Sequence, residues 1–250
     1  MKKRFKVQEV LPMTSTPAPT ANRMLASLPK DVLAAVIDRA RPDGMAQGRV
    51  FAEPGQVARE VHFVTSGAIS LVTMLIDGDA VEAGMVGREG ALGAHAVLTG
   101  LPAFTRAICQ VDGTVLTLDG SVFRSLVQDR PDVRIVVDRY VEGAANQAQQ
   151  AIACRAWHAI EHRFARWLLT ACDHAGRDRI ALTQEFMAHM LGVNRTTVSG
   201  IAGRFKAEGL IRYSRGQIAV KDRAALERAA CKCLPELRQR WDLMWGPLEG

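Results

Sequence analysis

The segment 182–211, LTQEFMAHMLGVNRTTVSGIAGRFKAEGLI, constrains the fold of this 250-residue chain more than any other part of it. Its apolar spacing predicts two amphipathic helices with a turn between them. The small side chain of Ala188 lets the helices cross closely, Gly192 forms the turn, and apolar Val193 fills the corner. These three properties in this order predict a helix-turn-helix.

The second helix of this pair is expected to present its N-terminal end to DNA. Asn194 is predicted to cap it, as Thr183 caps the first helix. Val198, Ile201 and Phe205 then lie on the inner face, which leaves the outer corner for base edges in the major groove. The predicted base contacts are Arg195, Thr196, Ser199 and Gly200. An arginine that donates two bonds to guanine contributes about 1–3 kcal/mol of discrimination.

A basic hairpin is predicted to follow these helices. The run LIRYSRGQIAVKD (210–222) indicates two strands with Ser214, Arg215 and Gly216 at the tip, hence a winged helix-turn-helix. Nine basic and four acidic residues between positions 177 and 223 leave five of the net charge of +6 there, which favours a polyanionic partner. The predicted phosphate contacts are Thr183, Gln184, Thr197, Arg204, Lys206, Arg212 and Arg215.

The first half of the chain has the pattern of an antiparallel sandwich or barrel. Between about positions 41 and 118, glycines recur between four short runs rich in β-formers. These runs are VHFV (61–64), AISLVTML (68–75), RAICQV (106–111) and TVLTL (114–118). A helix is predicted over 24–39, and the Pro/Thr-rich residues 1–23 are predicted to form a flexible tail.

Helices are predicted from Ser121 to Gly176, where glycine is rare. Pro131 can open a long helix, and a further helix over 158–174 is expected to bury Phe164 and Trp167. The long helix carries a heptad-like seam of Val137, Val141, Ala144, Ala148 and Ala151. This seam is expected either to pair two copies of the chain or to pack against its own domain.

With these parts in this order, the chain resembles the cAMP receptor protein/FNR family of bacterial transcription regulators over about residues 25–222. VFAEPGQVAREVHFVTSGAISLV (50–72) has Gly55 and Gly67 at the turn positions of the family. The resemblance implies an α+β fold with a cyclic-nucleotide-binding-like β-barrel (jelly roll), a long dimerisation helix and a C-terminal winged helix-turn-helix. The expected domains are the tail 1–23, the sensor β-domain 24–127, the dimerisation helix 128–155, the DNA-binding domain 156–223 and a helical extension 224–250.

The family also implies a mode of action. We expect a homodimer on a near-palindromic operator, with half-sites about 34–36 Å apart. A small-molecule effector and, for an activator, RNA polymerase are the further expected partners. No apolar run approaches the roughly 20 residues of a membrane span, and no apolar segment follows the basic start, so a cytoplasmic location is expected. No enzymatic activity is expected.

The effector is not expected to be cAMP. Family members that bind cAMP carry a Gly-Glu pair and, about ten residues later, an Arg-Ser or Arg-Thr pair. Here Ala94 stands at the glutamate position and Phe104 at the arginine position, with Arg106 shifted by two residues. The candidate residues for a different effector pocket are His95, Phe104, Thr105 and Arg106.

The DNA-contacting helix also departs from the family. Thr196 stands where many members have Glu, and Gly200 replaces a second Arg. The operator is therefore expected to share with the operators of those members only the guanine that Arg195 contacts.

The cysteines do not indicate a cofactor. None precedes Cys109, which argues against an FNR-type iron–sulfur cluster, and neither a metal nor another cofactor is predicted. Cys231 and Cys233 are too close for an easy mutual disulfide and lack evident partner ligands for zinc, which leaves core packing or a redox switch. Three alternatives remain: a haem held by His62, His95 or Cys109, a ligand-independent DNA-binding dimer, and an enzyme with a Cys or His nucleophile, which a loss of turnover on substitution of Cys109 would support.

Overall fold

The computed structural model describes residues 18–245. The β-domain comprises α1 (Arg23–Ala26), α2 (Lys30–Arg39), β1 (Arg41–Met45), β2 (Val50–Ala52), β3 (Glu60–Met74), β4 (Ala80–Val86), β5 (Ala91–Leu92), α3 (Ala96–Thr99) and β6 (Arg106–Asp119). Then come α4 (Gly120–Asp129), α5 (Pro131–Trp157), α6 (Ile160–Ala175), β7 (Arg179–Ala181), α7 (Gln184–Leu191), α8 (Arg195–Ala207), β8 (Ile211–Ser214), β9 (Gln217–Val220), α9 (Arg223–Ala229) and α10 (Cys233–Trp245). No described helix is both long and apolar enough to cross a membrane.

Within the described residues, strands β1 to β6 form one antiparallel sheet in the order β1-β6-β3-β4, with β2 also paired to β6 and β5 to β3. The four predicted short strands are in fact two long ones, β3 and β6. Gly67 and Gly113 lie inside these strands rather than between them, next to shifts in their register. A Cβ on Gly113 would come within 2.1 Å of the Ser66 carbonyl oxygen, so this glycine allows close backbone approach at an irregular pairing.

Two predictions for the N-terminal region need correction. The single helix expected over 24–39 is two helices, α1 and α2, with Pro29 before the second. Residues 1–17 of the predicted tail lie outside the described residues, but Asn22 is fully buried. Its Nδ2 donates to the carbonyls of Val64 and Gly90 at 2.8 and 2.7 Å. The β-domain therefore begins before residue 24, because these long-range bonds fix a segment that composition describes as a tail.

The long helix α5 begins at Pro131, as predicted. Two of the five predicted seam residues face their own domain instead of a partner helix, because Val137 is fully buried in the core of the β-domain and Val141 packs against that core. The stripe one residue further along the helix is exposed throughout, and it consists of Ile135, Asp138, Glu142, Ala145, Gln149 and Ile152. A shift of one residue turns the face by about 100° around the helix axis.

The winged helix-turn-helix has the predicted hairpin β8–β9 and also a third strand that was not predicted. Strand β7 pairs with β9, with Ile180 opposite Ile218, which gives the order β7-β9-β8. Phe164 and Trp167 of α6 are buried in this domain's core, as expected.

The C-terminal extension is tied to the rest of the molecule by α10. Trp241 stacks on Tyr140 of α5, with ring centroids 6.2 Å apart, and is 9% exposed. Trp245 Nε1 donates to the Glu89 carbonyl at 2.9 Å. The last described helix therefore contacts both the β-domain and α5.

Candidate nucleic-acid interface

The turn between α7 and α8 has the predicted geometry. Thr183 caps α7, since its Oγ1 accepts a bond from the Phe186 amide at 3.1 Å. Gly192 adopts the left-handed conformation with φ of +66°, and the Val193 amide donates to the Ala188 carbonyl at 3.0 Å. Asn194 occupies the N-cap position of α8, but its side chain makes no capping bond. The N-terminal amides of α8 therefore keep their capacity to bind an anion such as a phosphate.

The predicted base contacts lie at the N-terminal end of α8 but differ in availability. Arg195, Thr196 and Gly200 are exposed. Ser199 is half-buried, and its Oγ lies 2.6 Å from Gln184 Oε1 and 3.0 Å from the Arg195 carbonyl. This hydroxyl must leave an existing bond before it can donate to a base, although it can still accept a bond from one. In this conformation Ser199 instead orients Gln184, a predicted phosphate contact at the start of α7.

Ion pairs divide the basic residues of this domain into two groups. Arg177 pairs with Asp112 at 2.7 Å, Arg204 with Glu161 at 2.5 Å, and Arg223 with Asp178. Between positions 177 and 223, the exposed cations for which the structure shows no ion pair are Arg179, Arg195, Lys206, Arg212, Arg215 and Lys221. These lie mainly on α8 and the wing, so the unneutralised charge concentrates around the predicted DNA-contacting corner.

The wing ends in a tight two-residue turn. Arg215 has a φ of 50°, and the following Gly216 has a φ of 73°. Two consecutive left-handed residues are typical of hairpin turns whose twist matches the flanking strands. The turn places Arg215 at the exposed tip of the wing.

The same corner also faces the β-domain. Val81 of β4 packs beside the helix turn, since a Cβ on Gly192 would lie 3.0 Å from Val81 Cγ2. A cleft of about 670 Å³ separates the β3–β4 hairpin from the start of α8, and Asp79 and Arg195 are among the residues that line it. The sensor hairpin and the predicted DNA-contacting corner are therefore neighbours.

A buried carboxylate joins the two domains next to this contact. Glu82 of β4 accepts bonds from Ser70 Oγ at 2.7 Å and from Trp167 Nε1 of α6 at 3.0 Å. Arg155 of α5 donates to the Glu82 backbone carbonyl. Burial raises the pKa of Glu82 from 4.5 to about 7, in spite of these hydrogen bonds. Glu82 therefore changes charge near neutral pH at the junction of β4, α5 and α6.

We expect the free energy of unfolding to decrease as the pH rises from 4.5 to about 7, because over this range native Glu82 holds a proton that the unfolded chain has released. The expected loss is about 3 kcal/mol. In Glu82→Gln, whose amide oxygen can still accept from Trp167, this loss should disappear. Urea unfolding at a series of pH values measures it, and an unchanged pH slope in the variant would show that Glu82 is not its source.

The candidate effector residues lie at or near the surface in this conformation. His95 is exposed and Phe104 is 80% exposed, while Thr105 is half-buried. Arg106 pairs with Glu53 at 2.8 Å. A cleft of about 860 Å³ lies elsewhere, between α6 and α10, and is lined by charged residues including Arg88, Arg166, Asp173 and Arg238.

Two of the candidate haem ligands are already used in packing. His62 is 7% exposed, with Nδ1 3.0 Å from Thr117 Oγ1, and its pKa falls to about 4, mainly through burial. Cys109 is fully buried in an apolar cluster with Val64 and Val115. Burial raises the pKa of the Cys109 thiol to about 12, which leaves it a poor nucleophile.

One constellation was missed by the sequence analysis. The interpretation that Cys231 and Cys233 lack partner ligands for zinc is wrong, because Cys154 and His158 lie beside them. The spacing of Cys154 and His158, four residues apart at the end of a predicted helix, is a signal for paired ligands on one helix face. Their meeting with a Cys-x-Cys pair depends on the position of α10, which the sequence pattern does not provide.

Comparisons with known proteins agree with this architecture. Residues 45–130 match the cyclic nucleotide-binding domain model, and residues 162–229 match the Crp-like helix-turn-helix domain model. The chain is 23% identical over 206 residues to the CRP-like cAMP-activated global transcriptional regulator of Mycobacterium tuberculosis, covering 79% of this chain and 92% of that protein. It is 23% identical over 208 residues to the fumarate and nitrate reduction regulatory protein of Shigella dysenteriae, covering 80% and 82%.

A solved structure shows the same fold. FixK2 from Bradyrhizobium japonicum superimposes with a TM-score of 0.64 at 18% identity, covering 77% of this chain and 98% of that chain. The predicted fold class is thereby confirmed, and the two matched models together span more than half of the chain. The chain belongs to the Crp/Fnr family of transcription regulators and binds DNA through its helix-turn-helix.

Proposed function

We propose that the chain acts as a homodimer in which each α8 enters the major groove of one half of a near-palindromic operator. The observation that carries this proposal is the exposure of Arg195, Thr196 and Gly200 at the N-terminal end of α8. Unpaired cations on α8 and the wing surround this corner and can neutralise phosphates on both sides of the groove. Arg195 donates to guanine, while Thr196 and the Gly200 backbone set the close fit around it.

The dimer forms through the exposed stripe of α5. Ile152 is 69% exposed and lies on the same heptad stripe as Ile135, which is 55% exposed. Ala145 lies between them and lets two helices approach closely. Exposed isoleucines on one stripe of a long helix are typical of an unpaired coiled-coil face.

The β-domain controls the position of the DNA-binding domain through the contacts around β4. Val81 packs on the helix turn and Glu82 receives bonds from α6, so movement of β4 shifts α7 and α8 as well. An effector changes DNA affinity only if it binds one arrangement of these domains better than the other. The effector belongs to a class other than cAMP, and in an activator RNA polymerase binds the operator-bound dimer. We place this activity in the cytoplasm and assign the chain no catalytic role.

Selection of duplexes from random DNA by the purified chain tests this function. The recovered sites should contain two inverted half-sites about 34–36 Å apart, with a guanine contacted in each. Footprints should cover both half-sites at the same protein concentration. Recovery of single, asymmetric sites, or of no enriched sequence, would contradict the proposal.

Arg215 at the wing tip should act through its charge alone. Because a phosphate contact has no sequence preference, Arg215→Ala should weaken binding to operator and random DNA by the same factor. A dimer loses two contacts, so the slope of log affinity against log salt should become shallower by about 1.8. Titrations at several salt concentrations measure this slope, and a loss confined to the operator would argue for a base contact instead.

A further inference from the structure

Four potential metal ligands meet where α5 ends and α10 begins. Cys154 lies in the last turn of α5, and His158 caps that helix. Cys231 lies in the short segment after α9, and Cys233 is the first residue of α10. One ligand atom from each of the four residues lies within 4.8 Å of all the others. Two parts of the chain that are distant in sequence therefore bring their donor atoms to one point.

The distances fit a single tetrahedral ion. With zinc–sulfur bonds of about 2.3 Å and zinc–nitrogen bonds of about 2.0–2.1 Å, a tetrahedron places two sulfurs about 3.8 Å apart and a sulfur and a nitrogen about 3.6 Å apart. Here the Sγ atoms of Cys154 and Cys231 are 3.6 Å apart. Cys233 Sγ and His158 Nδ1 are 3.5 Å apart. A disulfide would require about 2.05 Å, and all five cysteines are free.

The surroundings also suit a closed metal site. Cys154, Cys231 and Cys233 are 1%, 5% and 3% exposed and form a cluster of their own. Gln150 Nε2 donates to Cys233 Sγ at 3.2 Å, as groups around metal-bound thiolates do. Four protein ligands fill the coordination sphere of zinc and leave no position for a substrate, which is the pattern of structural sites.

The charge around the cluster is consistent with thiolate ligands. The guanidinium of Arg166 places a positive charge near the Cys154 sulfur. Three thiolates and a neutral imidazole around Zn²⁺ carry one net negative charge. A nearby guanidinium offsets that charge.

We propose that Cys154, His158, Cys231 and Cys233 hold one Zn²⁺ ion that fastens the end of α5 to the start of α10. Soft sulfur donors with one imidazole favour zinc over the hard cations Mg²⁺ and Ca²⁺. The close spacing of the donors favours one ion over a cluster of several irons, whose cysteine ligands stand further apart. The ion would hold α10, and with it the Trp241–Tyr140 contact, against the dimerisation helix. This site goes beyond the proposed function and does not depend on it.

The metal content of the full-length chain tests this site directly. We expect one zinc per chain after purification without metal-affinity steps. Replacement by Co²⁺ should give an intense thiolate-to-cobalt band in the near ultraviolet and strong visible bands of tetrahedral cobalt. A wild-type chain that holds less than about a tenth of an equivalent after anaerobic reconstitution, or that gives the weak spectrum of octahedral cobalt, would overturn the proposal.

Variants assign the ligands. Cys231→Ser combined with Cys233→Ser should abolish zinc binding, and His158→Ala should weaken it at least tenfold. Cys172→Ala is the matched control, because Cys172 is a buried cysteine outside the cluster, and this variant should keep its zinc. If the double variant does not fold, zinc binding by His158→Ala still tests the site. Full zinc content in both ligand variants would overturn the assignment.

Chelation of the wild-type chain gives an independent readout. Removal of zinc should expose α10 to protease and lower the melting temperature, and zinc should restore both. Unchanged proteolysis after complete chelation would contradict the fastening role. Because no DNA is present, failure here leaves the operator proposal intact, and Arg195→Ala should leave zinc content unchanged.

Discussion

Arg195→Ala is expected to remove discrimination at one G·C pair in each half-site. The Arg195 guanidinium is exposed at the start of α8 and can donate two parallel bonds to guanine O6 and N7. Loss of both copies in a dimer should weaken operator binding by about 2–6 kcal/mol, which is roughly 30-fold to more than 1,000-fold. Affinity for an operator with those two pairs replaced should change little. Competitive titration of the two operators measures the difference.

Two further variants separate base contact from charge. Arg195→Lys keeps the charge but not the planar pair of donors, so it should bind random DNA as the wild-type chain does while discrimination stays reduced. Lys206→Ala removes an exposed cation from the same helix and should lower the affinity for DNA of every sequence by the same factor. If Arg195→Ala lowered affinity for every sequence by one common factor, Arg195 would be a phosphate contact only.

Ile152→Glu is expected to separate the dimer. The Ile152 side chain is 69% exposed on the outer stripe of α5, and pairing of two long helices would bury it opposite its copy. Pairing would remove two carboxylates from water at that point and bring their like charges together, at a cost of about 3 kcal/mol or more. The dimer dissociation constant should therefore rise over 100-fold. Operator affinity should fall with it, since each monomer then binds one half-site. Sedimentation equilibrium measures the mass directly.

The matched control is the same substitution at another exposed isoleucine. Ile37 of α2 is 42% exposed and lies outside α5, so Ile37→Glu should remain dimeric. Val141→Glu is less informative, because Val141 packs against the β-domain core and its loss affects folding as well. A dimer that persists in Ile152→Glu would mean that the chain pairs through another surface.

The helix-turn-helix could be predicted from the sequence because its determinants are local. Thr183 caps α7, Ala188 is buried and Gly192 has a positive φ, as the spacing of these residues indicates. Two of the predicted seam residues on α5 were misplaced because the apolar pattern of this helix serves two partners. Val137 satisfies the heptad spacing but faces the β-domain, and only the tertiary packing of α5 distinguishes that face from the outer one.

The long-range parts of the candidate site could not be predicted for a related reason. Glu82 acquires its raised pKa only through burial at the junction of β4, α5 and α6, while the hydrogen bond from Trp167 and the charge of Arg155 lower that pKa. Cys154 and Cys231 meet through the path of the C-terminal extension, which carries no family pattern. In both cases residues that are unremarkable in sequence gain their chemistry from distant neighbours.

The anchoring of α10 bears on how the molecule matures during synthesis. Arg23, near the start of the described chain, forms an ion pair with Asp242 at 3.0 Å, and Trp241 covers Tyr140. Until α10 has left the ribosome, the aromatic surface around Tyr140 stays open to water and to other nascent chains. The β-domain and α5 therefore complete their packing only after α10 has been made. Polypeptides released early, without α10, should depend on chaperones to avoid aggregation.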